Sequence, residues 1–175
     1  MTAAPTTMFI GVLPPDPLVV RVRQWQAALN HVITTPHITL KAPGQWSAAQ
    51  LAACRSSVAT CAPFTAELSG AATFGERVIF LKAGGDGLAS VHAALVAALG
   101  EGPGTFELGG YHPHLTLALS WRPLHGTWQD ALASAQAEFA DLEAAPLRFT
   151  VGQVALFEKQ RAGQPYRVAE LWALA

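Results

Sequence analysis

Read as a pattern of hydrophobic and polar positions, the chain breaks into short apolar runs of strand length separated by stretches with helical spacing. MFIGVL at 8–13 is the first such run; LPPDPL, which overlaps its end, brings turn residues and an Asp able to cap the helix predicted over 17–30. His37 to Leu40 alternates as a strand does. SAAQLAACRSSVATCA (47–62) predicts a helix with Ser47 as N-cap, and FTAELSGAATF (64–74) and RVIFLKA (77–83) return to strand character. The second half continues with a helix over 86–99, a strand around 114–119, a helix over 127–143 beginning at Thr127, the strand FTVGQVALF at 149–157 and a last strand, YRVAELWAL, at 166–174.

The order of elements repeats, and so do some of the letters. PHITL at 36–40 returns as PHLTL at 113–117, an offset of 114 − 37 = 77. FTAELSGA from 64 returns as FTVGQVAL from 149, an offset of 149 − 64 = 85, the extra length being taken up by a longer helix and loop. Two β-α-β-α-β units, roughly 8–74 and 77–157, predict an α+β fold. It consists of two pseudo-symmetric lobes, each a mainly antiparallel sheet with two helices, facing across a central cleft. The strand 166–174 closes a single domain spanning 1–175, a length that one hydrophobic core can serve.

Composition narrows the partners. Hydrophobic residues at 51% against 13% charged exclude a solvated disordered chain. A net charge of −1 provides no global basic field for holding long nucleic acid, so any nucleic-acid contact is local and concerns an end. No apolar stretch approaches the ~20 residues of a membrane span, and the start, MTAAPTTMFIGVLPPD, lacks a basic segment followed by a long apolar one. A cytoplasmic protein with no membrane association is expected, and nothing demands more than a monomer. Cys54 and Cys61 lie seven residues apart on a predicted helix, ~10 Å along its axis, beyond disulfide reach, and read as small apolar residues of a helical face.

The repeated letters carry the candidate chemistry. In a strand, residues i and i+2 share a face, so His37 stands beside Thr39 and His114 beside Thr116, while Ile38, Leu40, Leu115 and Leu117 point to the core. Imidazole has an unperturbed pKa of ~6.5, so near neutral pH one histidine can accept a proton while its counterpart, charged, gives one. Two threonine hydroxyls can hold the non-bridging oxygens of a tetrahedral anion. The combination suits phosphodiester cleavage. His112 shares the face of His114, but no cysteine or carboxylate stands at ligand spacing, which disfavours a metal site built on His37, His112 and His114. His31 reads as a cap partner at a helix end, His92 as a helix-surface residue and His125 as a loop residue.

These residues resemble the 2H phosphoesterases, defined by two H-x-[ST] motifs, and within them the bacterial RNA 2′,3′-cyclic phosphodiesterases, also called 2′-5′ RNA ligases. The similarity is carried by FIGVL (9–13), PHITL, FGERVIFL (74–81), YHPHLTLAL (111–119) and VALF…PYRVAELWAL near the end. The resemblance implies an RNA 2′,3′-cyclic 3′-phosphodiesterase that needs no metal or cofactor, with His37 and His114 catalytic and Thr39 and Thr116 binding the phosphate. It further implies His114 as the base activating water and His37 as the acid protonating O3′, leaving a 2′-phosphate; the near-symmetry of the motifs by itself leaves the two histidines interchangeable. Reverse joining to a 2′-5′ bond is the lesser activity implied. Substrates would be RNA termini or small nucleotides bearing the cyclic phosphate.

Further substrate contacts are read at Phe74, beside the Gly75–Glu76 turn and able to stack on a base, and at Lys41 and Arg122, which follow the motif strands. Where the family often has a Ser and a less charged turn, this chain has FEKQRAGQPYR, so Lys159, Arg161 and Arg167 add charge that can meet neighbouring phosphates. The rival readings are a non-catalytic nucleotide- or RNA-binding module and another 2H enzyme, one trimming RNA 3′ ends or opening cyclic ADP-ribose phosphates.

Overall fold

The computed structural model describes residues 5–175. Residues 1–4, the first of the expected domain, lie outside the described residues. Strands β1 (Thr7–Val12), β2 (Ile38–Gly44), β3 (Phe64–Phe74), β4 (Val78–Gly84), β5 (His114–Leu119), β6 (Leu147–Val151), β7 (Gln153–Lys159) and β8 (Arg167–Ala173) form one sheet in the order β6-β3-β4-β5-β2-β1-β7-β8. Every neighbouring pair is antiparallel. Helices α1 (Asp16–Ala28), α2 (Ala48–Ala59), α3 (Asp86–Leu99), α4 (Trp128–Glu138) and α5 (Ala140–Ala144) complete the expected α+β fold.

The element boundaries follow local chemistry. Ser47 caps α2 through a reciprocal box, its Oγ accepting from the Gln50 N–H while the Gln50 side chain accepts from the Ser47 N–H. Thr127 caps α4 the same way from one side, accepting from the Asp130 N–H. Two expectations need correction. The helix read over 127–143 breaks at the fully buried Phe139, where the backbone leaves helical geometry (φ −105°, ψ 18°) before the chain restarts as α5. FTVGQVALF is two strands, because Gly152 leaves the ladder and hands the chain from β6, at one edge, to β7, in the other half of the sheet.

The strand order is symmetric about the β5–β2 seam. β4 corresponds to β1, β3 to β7 and β6 to β8; the equivalence of β3 with β7 agrees with the repeat of FTAELSGA in FTVGQVAL from Gln153 onward, the letters FTV lying on β6. The third strand of each repeat joins the opposite half, since β3 turns directly into β4 through the Phe74–Arg77 turn with Gly75 in a left-handed conformation (φ 54°). The helices cross over as well: α1 packs on β5 and α3 on β2. At the seam β2 and β5 meet through Ile38 opposite Leu115, both fully buried in the main core.

Candidate active site at the sheet seam

Because Ile38 and Leu115 point into the core, their neighbours point the other way, into a cleft. Continuing the antiparallel register by one residue each way sets His37 opposite Thr116 and Thr39 opposite His114. Directly opposed side chains begin ~5 Å apart and diagonal ones, such as the two histidines, ~7–8 Å apart. The seam thus crosses the two motifs, so that each histidine faces the other motif's threonine.

The two imidazoles are anchored alike. His37 Nδ1 donates to the Thr35 carbonyl at 2.7 Å, and His114 Nδ1 donates to the His112 carbonyl at 2.8 Å. A proton held on Nδ1 leaves each Nε2 free to accept or, once charged, to donate. Each ring also rests against a stacked phenylalanine pair. Phe9 and Phe157 are 4.4 Å apart with Phe9 4.6 Å from His37; Phe74 and Phe80 are 4.1 Å apart with Phe74 4.9 Å from His114. Apolar walls disfavour charge. Burial pushes the His37 imidazole down to about 4, with the Thr35 carbonyl pulling upward and the charge of His114 adding to the fall. Burial also holds His114 below its ordinary value, opposed by the His112 carbonyl and reinforced by the His112 ring. Both shifts favour the neutral imidazole, the stronger one at His37.

Gly11 explains how the His37 ring reaches its phenylalanines. A Cβ at this position would lie 2.9 Å from the Ile38 carbonyl oxygen and 3.6 Å from His37 Cδ2, so only glycine lets β2 and the ring lie so close across β1. Phe9, Gly11 and Tyr166, whose ring stands edge-on to Phe9 at 4.8 Å, are site residues that the sequence pattern does not single out. A glycine in the middle of MFIGVL is the one available sign of a close approach.

Buried histidines from one half brace the motif strand of the other. His92, on α3, donates from Nδ1 to the Leu40 carbonyl at 2.6 Å and accepts from the Leu108 N–H at 2.8 Å. Tyr111 stacks on His92 at 4.1 Å and donates to the Thr39 carbonyl at 2.8 Å. On the opposite side His31 donates to the Pro123 carbonyl at 3.0 Å and accepts from the Leu119 N–H at 3.1 Å, while Gln26 donates to the Leu117 carbonyl at 2.9 Å. His31 and His92 are 3% and 2% exposed, so the reading of one as a cap and the other as a surface residue is corrected: both are buried braces between chain segments.

The remaining candidates separate cleanly. A cleft of about 500 Å³ is lined by His37, Thr39 and Thr116 together with Arg122, Lys159 and Tyr166. Lys41 is elsewhere: it is buried and paired with Glu107 at 2.9 Å, which removes it from the cleft. Arg167 pairs with Glu158 at 2.8 Å and Arg161 is exposed on the hairpin; neither lines the cleft. Phe74 packs against His114 and stacks on Phe80, which is paired with Thr116 and shares its face, so Phe74 stands beside the second motif and not with the residues around His37. Among the described residues no three His, Cys, Asp or Glu side chains are grouped to hold a metal ion, and no helix is long and apolar enough to cross a membrane.

Comparisons with known proteins agree with this fold. No curated protein matches the chain. Among solved structures, the apo form of LigT from E. coli superposes with a TM-score of 0.63 at 21% identity, covering 99% of each chain. TT0787 of Thermus thermophilus gives 0.63 at 22% identity over 95% of this chain and 97% of that one, and Usb1 of Kluyveromyces marxianus 0.52 at 12% over 98% and 99%. Residues 14–163 match the family described as the 2′-5′ RNA ligase superfamily, and with that match spanning both H-x-T strands and the cleft between them, the chain belongs to this superfamily of phosphoesterases.

Proposed function

We propose that the protein hydrolyses 2′,3′-cyclic phosphodiesters at RNA ends to 2′-phosphates without a cofactor, His114 and His37 acting as base and acid, with 2′-5′ joining as the reverse reaction. In the forward step His114 Nε2 takes a proton from water as the water oxygen bonds to phosphorus. The P–O3′ bond breaks, and His37 Nε2–H delivers its proton to O3′. Thr39 and Thr116 donate to the non-bridging oxygens as their charge grows. The two rings then return to their starting states by exchange with solvent. The whole chain serves as one domain in this reading, each half supplying one histidine and one threonine.

The observation that carries the reading is the duplicated anchoring of the two imidazoles, each pinned through Nδ1 to the carbonyl two residues before it with Nε2 left free. A site serving only to bind phosphate has no use for two such proton carriers. Solved structures of LigT from E. coli hold phosphate and 3′-AMP, which supports a nucleotide phosphate as the occupant.

Two features bear on direction, and they pull apart. The cleft extends from His37 toward Lys159 and Tyr166, which supports the nucleoside, and with it the leaving O3′, on the His37 side. The lowered pKa of the His37 imidazole, which favours its neutral form, instead suits it as base. An arriving phosphate reverses the second feature and leaves the first. One negative charge ~4 Å from a partly buried imidazole is worth ~4 kcal/mol at an effective dielectric of ~20, enough to carry His37 from about 4 to ~7.

The test is direct. Adenosine 2′,3′-cyclic phosphate is mixed with the protein in EDTA and followed by phosphorus NMR. The expected product is the 2′-monophosphate; the 3′ isomer would overturn the assignment of acid and base. Tight binding measured by calorimetry with no product would replace the enzyme with a binding module.

A further inference from the structure

The cleft has an uneven distribution of charge that the proposed reaction does not use. The chain carries eleven Lys and Arg residues and a net charge of −1. Six of the eleven, Arg21, Lys41, Arg55, Lys82, Arg148 and Arg167, are held in ion pairs. Arg122 and Lys159 have no carboxylate within ion-pair distance among the described residues, and both line the cleft, whose lining includes no Asp or Glu. Arg23, Arg77 and Arg161 are unpaired as well but stand outside the cleft, so what marks the cleft is two unmatched cations converging on one hollow that no carboxylate lines, the footprint of an anionic occupant.

Neither cation is placed for the phosphate at the seam. Lys159 ends β7 opposite Thr7, while Gly11, four residues along β1, is the residue opposite Thr39. Four strand residues span ~13 Å, which puts the Lys159 backbone well away from the threonine hydroxyls. Arg122 follows the end of β5, beside the start of β2, whereas Lys159 lies at the level where β2 ends. The cations therefore stand toward opposite ends of the motif strands, with the histidine and threonine side chains between them.

Both are mounted on fixed supports. The loop carrying Arg122 is tied down by His31 to the Pro123 carbonyl at 3.0 Å, by the His125 N–H to the Leu29 carbonyl at 2.7 Å and by Asn30 to the His125 ring at 3.0 Å. Lys159 Nζ lies 4.5 Å over the Tyr166 ring, and that ring is itself packed on Phe9. A cation held in place loses less freedom on meeting a phosphate than one on a free surface chain.

We infer that Arg122 and Lys159 form subsites for phosphates other than the reacting one, so that the cleft is built for a multiply charged nucleotide rather than for a lone cyclic phosphate. The inference rests on the proposed phosphodiesterase reading and specifies its substrate. The additional charge can come from a 5′-terminal phosphate or from an internucleotide phosphodiester, which share their chemistry toward Arg and Lys.

Three probes separate these sources: adenosine 2′,3′-cyclic phosphate, its 5′-phosphorylated form, and the dinucleotide ApA ending in a 2′,3′-cyclic phosphate. For the unaltered protein kcat/KM should rise about tenfold or more from the first probe to whichever other carries the recognised phosphate. In the Arg122→Gln/Lys159→Gln double variant that preference should collapse toward one. The slope of log(kcat/KM) against log[salt] on the preferred probe should also flatten by ~0.7 for each phosphate that the variant no longer neutralises. Equal kcat/KM for all three probes in the unaltered protein, or a preference that survives the double variant, overturns the inference while leaving the reaction intact. Failure to hydrolyse any of the three instead overturns the phosphodiesterase reading itself.

Discussion

The His37 side and the His114 side of the seam use the same inner device and differ in what surrounds it. Each has an imidazole pinned through Nδ1 to a carbonyl two residues earlier, a stacked phenylalanine pair against the ring, and a buried histidine from the opposite half bracing the strand. Beyond that the sides diverge. His37 opens onto the cleft with Lys159 and Tyr166 beyond it, whereas His114 is backed by Phe74, Phe80 and His112. The shared inner parts are what the two proton transfers of the proposed reaction need, and the unshared outer parts are where, under that proposal, a substrate's orientation would be set.

If the inner device is truly duplicated, breaking either copy should cost nearly the same. His37→Ala and His114→Ala are each expected to lower kcat on adenosine 2′,3′-cyclic phosphate by ~10²-fold or more, the usual contribution of a positioned proton carrier. Because the two act in one step, the double variant should lose far less than the product of the single losses. A variant retaining full kcat would show that its side of the seam takes no part in the proton transfers.

The braces differ in kind, and this offers a sharper comparison. The β5 brace is made of His31 and Gln26 hydrogen bonds, but the β2 brace includes the ion pair of Lys41 and Glu107, whose side chains are 8% and 12% exposed. Burial works against the Glu107 charge, yet the Lys41 ammonium and the Gly104 N–H outweigh it and hold the carboxyl below its usual range. Glu107→Gln would leave Lys41 charged and unpartnered, at a cost of about 3–5 kcal/mol in denaturant unfolding. A carboxyl that is more acidic folded than unfolded stabilises above the unfolded value and withdraws that support as pH falls, so the loss in the variant should shrink on acidification. An equal loss at all pH values would mean that the pair does not contribute through its charge.

What the sequence disclosed and what it hid follow from the range of the interactions involved. PHITL and PHLTL are legible because strand alternation is local, so the sharing of a face by His37 and Thr39 needs no tertiary information. The α+β class follows from the same local periods. The braces are hidden because His92 and Leu40 are 52 residues apart and His31 and Leu119 are 88 apart, and nothing in a helix-end histidine announces a distant strand as its partner. Lys41 misleads for the opposite reason: it follows Leu40 as a cleft-facing residue should, but the irregular register between β1 and β2 around Ile10 spoils the alternation there, and Glu107 claims its charge. Gly152 misleads by being compatible with a continuous strand while serving as the point where the chain changes sides.

The histidines should also differ in how far the phosphate moves them. In the free protein the His37 ring is expected to stay neutral as pH falls from 7 and to titrate only near about 4, followed by its ring-proton NMR shifts. Inorganic phosphate, used as the probe, should raise that midpoint markedly, since the charged ring gains a partner. A histidine that binds its proton more weakly folded than unfolded makes the protein less stable as pH drops from ~6.5 toward the folded value, so phosphate should protect most in that window. A midpoint near the ordinary histidine value in the free protein would remove the apolar phenylalanine wall as a determinant of its acidity.

The smallest effect tests whether the brace on β2 tunes the site or only holds the fold. Tyr111→Phe deletes the hydroxyl that donates to the Thr39 carbonyl at 2.8 Å and keeps the ring stacked on His92. Removing that hydrogen bond should cost about 1 kcal/mol of stability. Thr39 is proposed to grip an oxygen whose charge grows in the transition state, so slackening its backbone should weaken transition-state binding more than ground-state binding. A few-fold fall in kcat with KM nearly constant is the expected signature, because a purely structural loss would leave both constants of the folded fraction alone. If kcat per folded molecule is unchanged while stability drops, Tyr111 secures β2 without positioning the threonine it touches, and the resemblance between the two sides ends at the imidazoles.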